Sequence, residues 1–242
     1  MRYRAVLFDA GGTLLFLDYA RIARAVGSAC GVAMSAEALE DAAPAAALAL
    51  EERAGTDGER AARFLRALCI GAGLPEGRWP DAQRALYALH REEHLWSASA
   101  PGTVEALRRL RARGVRLGVV SNSDGRVEAA LRQAGLLDCF DVVIDSSIAG
   151  VEKPDPRIFL AALERLGVAA GEALHVGDVY EVDALGARAA GLDAALVGAD
   201  APREGVRTAR SVASLVDSLI GPAEPDEVVE PSNAGAPRRP DR

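Results

Sequence analysis

The stretch AVLFDAGGTLLF, residues 5–16, decides the fold of this chain. Its first part, with the residue before it, predicts a short buried strand over residues 4–8, and that strand ends at Asp9. Gly11 and Gly12 then interrupt the apolar pattern before a second apolar run begins. The stretch therefore predicts a buried strand, a carboxylate at its carboxyl end and a tight turn beside that carboxylate.

Two patterns follow the first strand. The region from about residue 17 to residue 96 is helical throughout, with Ala-rich helices expected near 18–30, 35–54, 58–72 and 80–95. From about residue 101, helices alternate with apolar strands at 115–122, 140–146, 173–178 and 194–198. Such alternation predicts parallel strands joined by right-handed crossovers, which is a doubly wound α/β sheet. The strand at 4–8 belongs to the same sheet, so the helical region is an insertion.

These patterns divide the chain into three parts. Residues 1–16 and 98–220 are predicted to form the Rossmann-like core, and residues 17–97 an inserted, all-helical cap. Residues 221–242 contain five of the twelve prolines and few apolar side chains, so we expect a disordered tail.

Composition excludes several classes of partner. The formal net charge of −7 argues against a nucleic-acid surface, because phosphate binding needs clustered positive charge.

Cys30, Cys69 and Cys139 are far apart, which suggests reduced thiols in a cytoplasmic protein and no disulfide framework. The N-terminal apolar run is too short for a signal peptide, and no run is long enough to cross a membrane. We expect a cytoplasmic monomer or homodimer with no membrane partner.

Four polar groups follow four of the predicted strands. Asp9, Ser121 and Asp178 come at strand ends, and Lys153 lies in the loop AGVEKPDPRIF. Ligands bind in the crevice at the carboxyl ends of such strands, so these groups are expected to converge. Asp9 and Asp178 offer oxygen ligands that suit Mg²⁺, and Ser121 and Lys153 can hold anionic oxygens. Carboxylates for a metal together with donors for an anion indicate phosphoryl transfer.

Lys153 is supported by an independent observation. The chain has 28 basic residues, of which Lys153 is the single lysine, and a random position would place that lysine here about one time in twenty-eight. A site that needs a compact ammonium group explains this placement better, because arginine does not replace lysine at such a site.

The chain resembles a haloacid dehalogenase superfamily hydrolase with a helical cap after its first motif. The resemblance covers about residues 1–220 and rests on four segments in order: FDAGGTLL, VVSNS, EKPDPRIF and HVGDVYEVDALGARAAG. Each segment alone is weakly specific, but four in order at family-like separations form a specific signal.

The resemblance implies a mechanism and a set of site residues. Asp9 would be the nucleophile that forms an aspartyl-phosphate, and Mg²⁺ would be bound by Asp9, the backbone carbonyl of Gly11 and Asp178, with Asp183 in support. Ser121 and Lys153 would hold the phosphoryl oxygens, and Asn122 would assist at the substrate. The implied activity is Mg²⁺-dependent hydrolysis of a small phosphate ester or acyl phosphate.

Gly11 departs from the family pattern, in which a second carboxylate stands two residues after the first. Three alternatives follow. Phosphonate-cleaving members also lack this carboxylate, but they use a cap lysine, and residues 17–97 contain none. Metal-independent 2-haloacid dehalogenases lack it too, yet HVGDVYEVD resembles a metal-binding version of the fourth motif. A catalytically weakened protein that binds phosphate or has a regulatory role is the remaining alternative.

Other polar and aromatic residues have simpler interpretations. His90 and His94 in HREEH are four residues apart and could form a metal pair, although a solvated cap helix is favoured because no third ligand is evident. A cap histidine could also act as an acid at the site. His175 is predicted to be a satisfied core residue, and Trp79 and Trp96 packing or hinge residues.

Overall fold

The computed structural model describes residues 2–47, 57–198 and 205–221. The strands are β1 (Ala5–Phe8), β2 (Phe16–Leu17), β3 (Trp96–Ala98), β4 (Arg116–Ser121), β5 (Val142–Asp145), β6 (Ala173–Gly177), β7 (Asp193–Val197) and β8 (Arg207–Ala209). The helices are α1 (Tyr19–Cys30), α2 (Ala36–Ala47), α3 (Asp57–Gly71), α4 (Trp79–Glu92), α5 (Thr103–Ala112), α6 (Val127–Gln133), α7 (Ser146–Ala149), α8 (Pro156–Leu166), α9 (Leu185–Ala189) and α10 (Val212–Ile220).

Six of the strands form one parallel sheet, in the order β5-β4-β1-β6-β7-β8. Side chains alternate across the central strand β1, as the pleat of a strand requires. Val6 and Phe8 belong to the core on one face, with α5, α6 and α10, and Ala5 and Leu7 belong to the core on the other face, with α8 and α9. The predicted doubly wound parallel sheet is confirmed, and both of its faces are buried.

Helices α1–α4 lie between β1 and β4 in sequence and surround a third cluster of buried apolar residues, which includes Ile22, Leu39 and Leu68. The inserted segment is not all-helical, because β2 and β3 pair in antiparallel fashion where the chain leaves and re-enters the sheet domain. Strands of two and three residues are too short to produce an alternating pattern, so the sequence did not reveal them.

One predicted helix end in the insertion differs from the structure, and another cannot be compared. Helix α4 ends at Glu92, short of the predicted residue 95, because Glu93 has an extended backbone and its N–H closes the last turn on the carbonyl of Leu89. The second predicted helix, 35–54, is described as far as Ala47, and its remaining residues lie outside the described part of the chain.

The C-terminal region adds two elements that the sequence did not predict, β8 and α10. The disordered tail predicted for 221–242 lies, apart from Gly221, outside the described residues. Among the described residues, none of the helices combines the length and the apolar character that a membrane span requires.

Candidate active site

The site lies at the carboxyl ends of β4, β1 and β6, the three central strands of the sheet. In the sheet, β4 lies on one side of β1 and β6 lies on the other. The order of the strands along the chain therefore reverses at β1, and ligands usually bind at such a point of reversal. Asp9 follows β1 directly, and its N–H donates to the carbonyl of Val176 on β6, at 2.8 Å. Asp178 follows β6, and Ser121 is the last residue of β4.

Lys153 joins two of the site carboxylates. Its Nζ lies 2.5 Å from Oδ1 of Asp9 and 2.7 Å from Oδ1 of Asp183, and the residue is only 4% exposed. Burial alone would lower the pKa of Lys153, but Asp183 and Asp9 outweigh that effect and raise it above its usual range. The single lysine of the chain is therefore a fixed positive charge at the bottom of the site.

Asp183 is held from several sides. Its Oδ1 also faces Nε2 of His175 at 3.0 Å, and its Oδ2 accepts the backbone N–H groups of Asp178 and Val179 at 3.3 and 3.0 Å. Burial raises the pKa of Asp183, but Lys153 and His175 lower it by more than burial raises it. The pKa therefore lies below its usual range, and the carboxylate stays ionised. The Asp183 side chain can lie this close to the end of β6 only because residue 177 is a glycine. A Cβ at position 177 would lie 2.2 Å from Cγ of Asp183.

The single charge of Lys153 can neutralise only one of the three carboxylates of Asp9, Asp178 and Asp183. Burial raises the pKa of Asp9 to about 6, and burial together with the charges of Asp9 and Asp183 raises the pKa of Asp178 well above its usual range. One carboxylate oxygen from each of Asp9, Asp178 and Asp183 lies within 4.8 Å of the others. Three carboxylates around one ammonium group fit a divalent cation that prefers oxygen ligands, such as Mg²⁺.

A glycine also makes room for Asp178. Gly12 has φ of 77°, in the left-handed region, and a Cβ there would lie 2.2 Å from Oδ2 of Asp178. Any side chain at this position would push Asp178 out of the cluster. The two glycines that punctuate the first motif therefore have different roles, since Gly11 has neither a left-handed backbone nor a close neighbour.

The place of the missing second carboxylate faces Trp96. An ideal Cβ on Gly11 would lie 3.9 Å from Cδ1 and 4.0 Å from Nε1 of the Trp96 indole, both ordinary contacts. Trp96, predicted as a packing or hinge residue, packs against both the sheet core and the helical insertion. It also brings an indole N–H donor close to the Gly11 backbone, which the sequence alone did not reveal.

Asn122, expected to assist at the substrate, is engaged with the chain itself. Its Oδ1 accepts the N–H of Lys153 at 2.7 Å, and its Nδ2 donates to the carbonyl of Lys153 at 3.0 Å. These two hydrogen bonds hold the backbone of Lys153 next to the end of β4. The neighbouring Ser121 is buried at the same strand end, and its role toward a phosphoryl group stays a prediction.

Asp145, which the sequence analysis did not single out, orders the loop after β4. Its carboxylate accepts the backbone N–H groups of Gly125 at 3.0 Å, Val127 at 3.3 Å and Ser147 at 3.0 Å. It therefore satisfies backbone N–H groups at the start of α6, as a capping side chain does. The acceptor comes from the next strand, twenty positions along the chain from Gly125, and no local pattern signals it.

His175 is not the satisfied core residue that the sequence predicted. It is fully buried, its Nε2 lies against Asp183, and its Nδ1 has no hydrogen-bond partner among the described residues. Burial lowers the pKa of His175, so its ring is neutral and donates to the carboxylate through Nε2–H. The residue thus helps to position Asp183, whose Oδ1 it shares with Lys153.

The fold and the site together define a Rossmann-like protein with an acidic site at the reversal point of its sheet and a helical insertion after the first strand. The model of the haloacid dehalogenase-like hydrolase family matches residues 3–191, and the chain belongs to this family. The resemblance on which the sequence analysis relied is confirmed.

Individual relatives agree with this assignment. The chain is 36% identical over 163 residues to the mouse haloacid dehalogenase-like hydrolase domain-containing protein 3, covering 66% of this chain and 59% of that protein. It is 36% identical over 140 residues to the ribulose-1,5-bisphosphate 5-phosphatase of Halopiger xanaduensis, covering 57% of each. The HAD phosphatase structure from Thermococcus onnurineus is similar over 90% of this chain and 99% of that one, with a TM-score of 0.57 and 26% identity.

Proposed function

We propose that this protein is a Mg²⁺-dependent phosphatase that cleaves a small phosphate ester or acyl phosphate through an aspartyl-phosphate at Asp9. The observation that carries the proposal is the position of Lys153, whose ammonium group joins Asp9 and Asp183 beside a third carboxylate, Asp178. The arrangement holds one carboxylate oriented at the end of the central strand and leaves net negative charge that a divalent cation would neutralise.

Asp9 is suited to be the nucleophile because only one of its oxygens is bonded to Lys153. In the first step the other oxygen, Oδ2, attacks phosphorus, and the bond from phosphorus to the leaving-group oxygen breaks with its electron pair. In the second step a water molecule attacks phosphorus, which releases inorganic phosphate and restores the Asp9 carboxylate. Lys153 holds Asp9 in place and offsets the negative charge of the phosphoryl oxygens.

The residues that would hold Mg²⁺ are Asp9, Asp178 and the backbone carbonyl of Gly11, with Asp183 in support. When bound, Mg²⁺ would supply positive charge that stabilises the negative oxygens of the transferring group. Lys153 and His175 keep Asp183 ionised, and Gly12 lets Asp178 approach. The dehalogenase alternative needs no metal. Under it, the negative charge of Asp9, Asp178 and Asp183 would have no counter-ion other than Lys153.

The leaving group determines which substrates are cleaved quickly. Gly11 supplies no acid to protonate a leaving oxygen, and general acid catalysis contributes about 10²–10⁴-fold where the leaving group is poor. Acyl and aryl phosphates leave without that help, whereas alkyl phosphates do not. The proposal therefore favours substrates with good leaving groups, and it predicts slow turnover of alkyl esters.

Two observations support a small phosphorylated metabolite as the substrate. The helical insertion reaches the site, because Trp96 on β3 packs against the insertion and lies beside Gly11, so the insertion can contact a bound molecule. The names of the relatives include phosphatases of ribulose-1,5-bisphosphate and glyceraldehyde 3-phosphate, from Halopiger xanaduensis and Methanopyrus kandleri. A panel of phosphorylated metabolites, tested at fixed Mg²⁺, would identify the compound.

The direct test measures phosphate release from an aryl phosphate with Mg²⁺ and with a chelator in its place. Release that requires Mg²⁺ supports the proposal. Full turnover in chelator would contradict it, and release of halide from a 2-haloacid without metal would favour the dehalogenase alternative. Phosphate-analogue binding with no turnover on any ester would favour the phosphate-binding or regulatory alternative.

A further inference from the structure

We propose a second metal site, formed by His90, His94 and Asp124, that takes a transition-metal ion of the Zn²⁺ type and links the helical insertion to the sheet domain. It shares no residue with the Asp9 cluster and does not depend on the proposed phosphatase reaction. His90 lies in the last turn of α4, His94 two residues beyond its end, and Asp124 in the loop after β4.

The sequence offered the two histidines without a third ligand, and the fold supplies it. His90 Nε2 lies 3.0 Å from Oδ2 of Asp124, and His94 Nε2 lies 4.0 Å from Oδ1 of the same carboxylate. One ligand atom from each of the three residues lies within 4.8 Å of the others. Ligand atoms around a tetrahedral Zn²⁺ at about 2.0–2.2 Å are about 3.3–3.5 Å apart, so small side-chain rotations bring these groups into range.

The chemistry of the three groups selects the ion. Two imidazoles and one carboxylate suit Zn²⁺, Co²⁺ or Ni²⁺ better than Mg²⁺ or Ca²⁺, which prefer oxygen ligands throughout. The side chain of Asp124 is 47% exposed and those of His90 and His94 are 22% and 14% exposed, which gives an ion access from solvent on the Asp124 side. Three protein ligands leave a fourth position for water.

The surroundings of His94 orient it as a ligand. Its Nδ1 lies 3.2 Å from the carbonyl oxygen and 3.3 Å from the backbone nitrogen of Trp96, so it either donates to the carbonyl or accepts from the N–H. The tautomer that donates from Nδ1 is the one whose Nε2 lone pair faces Asp124 and can bind an ion. A backbone carbonyl behind a ligating histidine is the usual outer partner in metal sites. Burial lowers the pKa of His94 to about 4, so the ring is neutral near pH 7.

His90 must change its proton arrangement. Its Nδ1 accepts a long hydrogen bond of 3.4 Å from the N–H of Leu95, which leaves the proton on Nε2, between His90 and Asp124. A metal ion on Nε2 would take the place of that proton, which would move to Nδ1, so the neutral ring keeps its single proton. The cost is the Leu95 bond, which is at the long end of the hydrogen-bond range.

The neighbouring Arg126 does not fill the site. Its guanidinium donates to the carbonyl oxygens of His90 and Arg91, and so fastens the end of α4 to the start of α6 next to the three ligands. The cap-side and sheet-side ligands are therefore held together before an ion arrives. An ion on all three would strengthen this link between the insertion and the loop that follows Ser121.

The experiment uses Co²⁺, whose visible absorption reports four- or five-coordinate binding, added to the full chain in excess Mg²⁺. We expect visible bands that saturate at about one equivalent of Co²⁺, and a Zn²⁺-dependent rise in Tm by mass action. Asp124→Asn keeps the volume and an acceptor for His90, and we expect it to lose the bands, as we do for His94→Gln. The matched control Asp138→Asn, at an exposed carboxylate on the same domain, retains them.

Two results would overturn the proposal. One is wild-type protein that shows no Co²⁺ bands and no Zn²⁺-dependent rise in Tm. The other is bands that survive in both Asp124→Asn and His94→Gln while the thermal unfolding of these variants shows them folded, because Co²⁺ would then be bound elsewhere. Asp178→Asn, which alters the other carboxylate cluster, is expected to keep the bands.

Discussion

Restoring a carboxylate at position 11 tests the account of substrate preference. Gly11→Asp places a Cβ at ordinary contact distance from Trp96, 3.9 Å from Cδ1 and 4.0 Å from Nε1, and the backbone there is not left-handed. Replacing glycine at a compatible position is neutral to mildly stabilising, within about 1 kcal/mol. The variant is therefore expected to fold, with the indole N–H as a donor to the new carboxylate.

The expected gain depends on the leaving group. An acid at this place contributes about 10²–10⁴-fold for an alkyl phosphate, which corresponds to about 2.7–5.4 kcal/mol of transition-state stabilisation. For an aryl phosphate, whose leaving oxygen needs no proton, we expect a change of less than about tenfold. The ratio of kcat/KM for alkyl to aryl substrates is thus expected to rise by at least about tenfold.

Steady-state kinetics on an alkyl and an aryl phosphate at fixed Mg²⁺ give this ratio. Gly11→Asn is the matched control, because its side chain has the same shape but transfers no proton. A gain in Gly11→Asn equal to that in Gly11→Asp would refute the reasoning, since shape alone would then explain it. Wild-type protein that already cleaves alkyl esters as fast as aryl ones would also refute it, and His90 or His94 would then be tested as the acid.

Three further perturbations follow from the geometry. Asp178→Asn removes one carboxylate of the proposed metal site, so we expect the Mg²⁺-dependent rise in Tm to need at least about 10²-fold more Mg²⁺, and an unchanged Mg²⁺ response would contradict the proposed site. Lys153→Ala leaves two buried carboxylates facing each other, and urea unfolding in chelator is expected to show a loss of about 3–5 kcal/mol together with loss of activity. Lys153→Arg is expected to rescue little, because a planar guanidinium does not replace a compact ammonium, and normal kinetics would refute that argument. Gly118→Ala puts a Cβ within 2.7–2.8 Å of two side chains in the sheet core and is expected to cost about 1–3 kcal/mol, whereas Gly171→Ala, with open space around it, changes stability by less than about 0.5 kcal/mol.

Local sequence patterns predicted most strands of the sheet and the polar groups at their carboxyl ends. The strands of a parallel sheet buried on both faces are apolar runs, so β1, β4, β5, β6 and β7 could be located and their parallel arrangement followed from the helices between them. Polar groups at strand ends then had to meet at one edge. Lys153 contacts Asp9, in keeping with the expected convergence of strand ends, and it also contacts Asp183, which entered the sequence analysis only through the family resemblance.

The remaining features depend on contacts between distant positions. Asp124 faces His90 across 34 positions of sequence, and Asp145 orders the loop before α6 from the following strand. Trp96 reaches Gly11 because β2 and β3 pair, and that pair is too short to leave a pattern. Such contacts are fixed by the packing of elements that are distant in sequence, within the sheet domain for Asp145 and between the insertion and the sheet domain for the others, and no local periodicity encodes them.

The most direct test of the central claim is the detection of a phosphoryl group on Asp9. Protein mixed with an aryl phosphate and Mg²⁺, quenched in acid and digested, is analysed by mass spectrometry for the peptide that contains Asp9. We expect this peptide to carry one phosphoryl group, Asp9→Asn to abolish both the adduct and turnover while remaining folded, and the Asp138→Asn control to retain both. Mg²⁺-dependent turnover in Asp9→Asn, or a phosphoryl group on another residue of the wild-type protein, would contradict the claim.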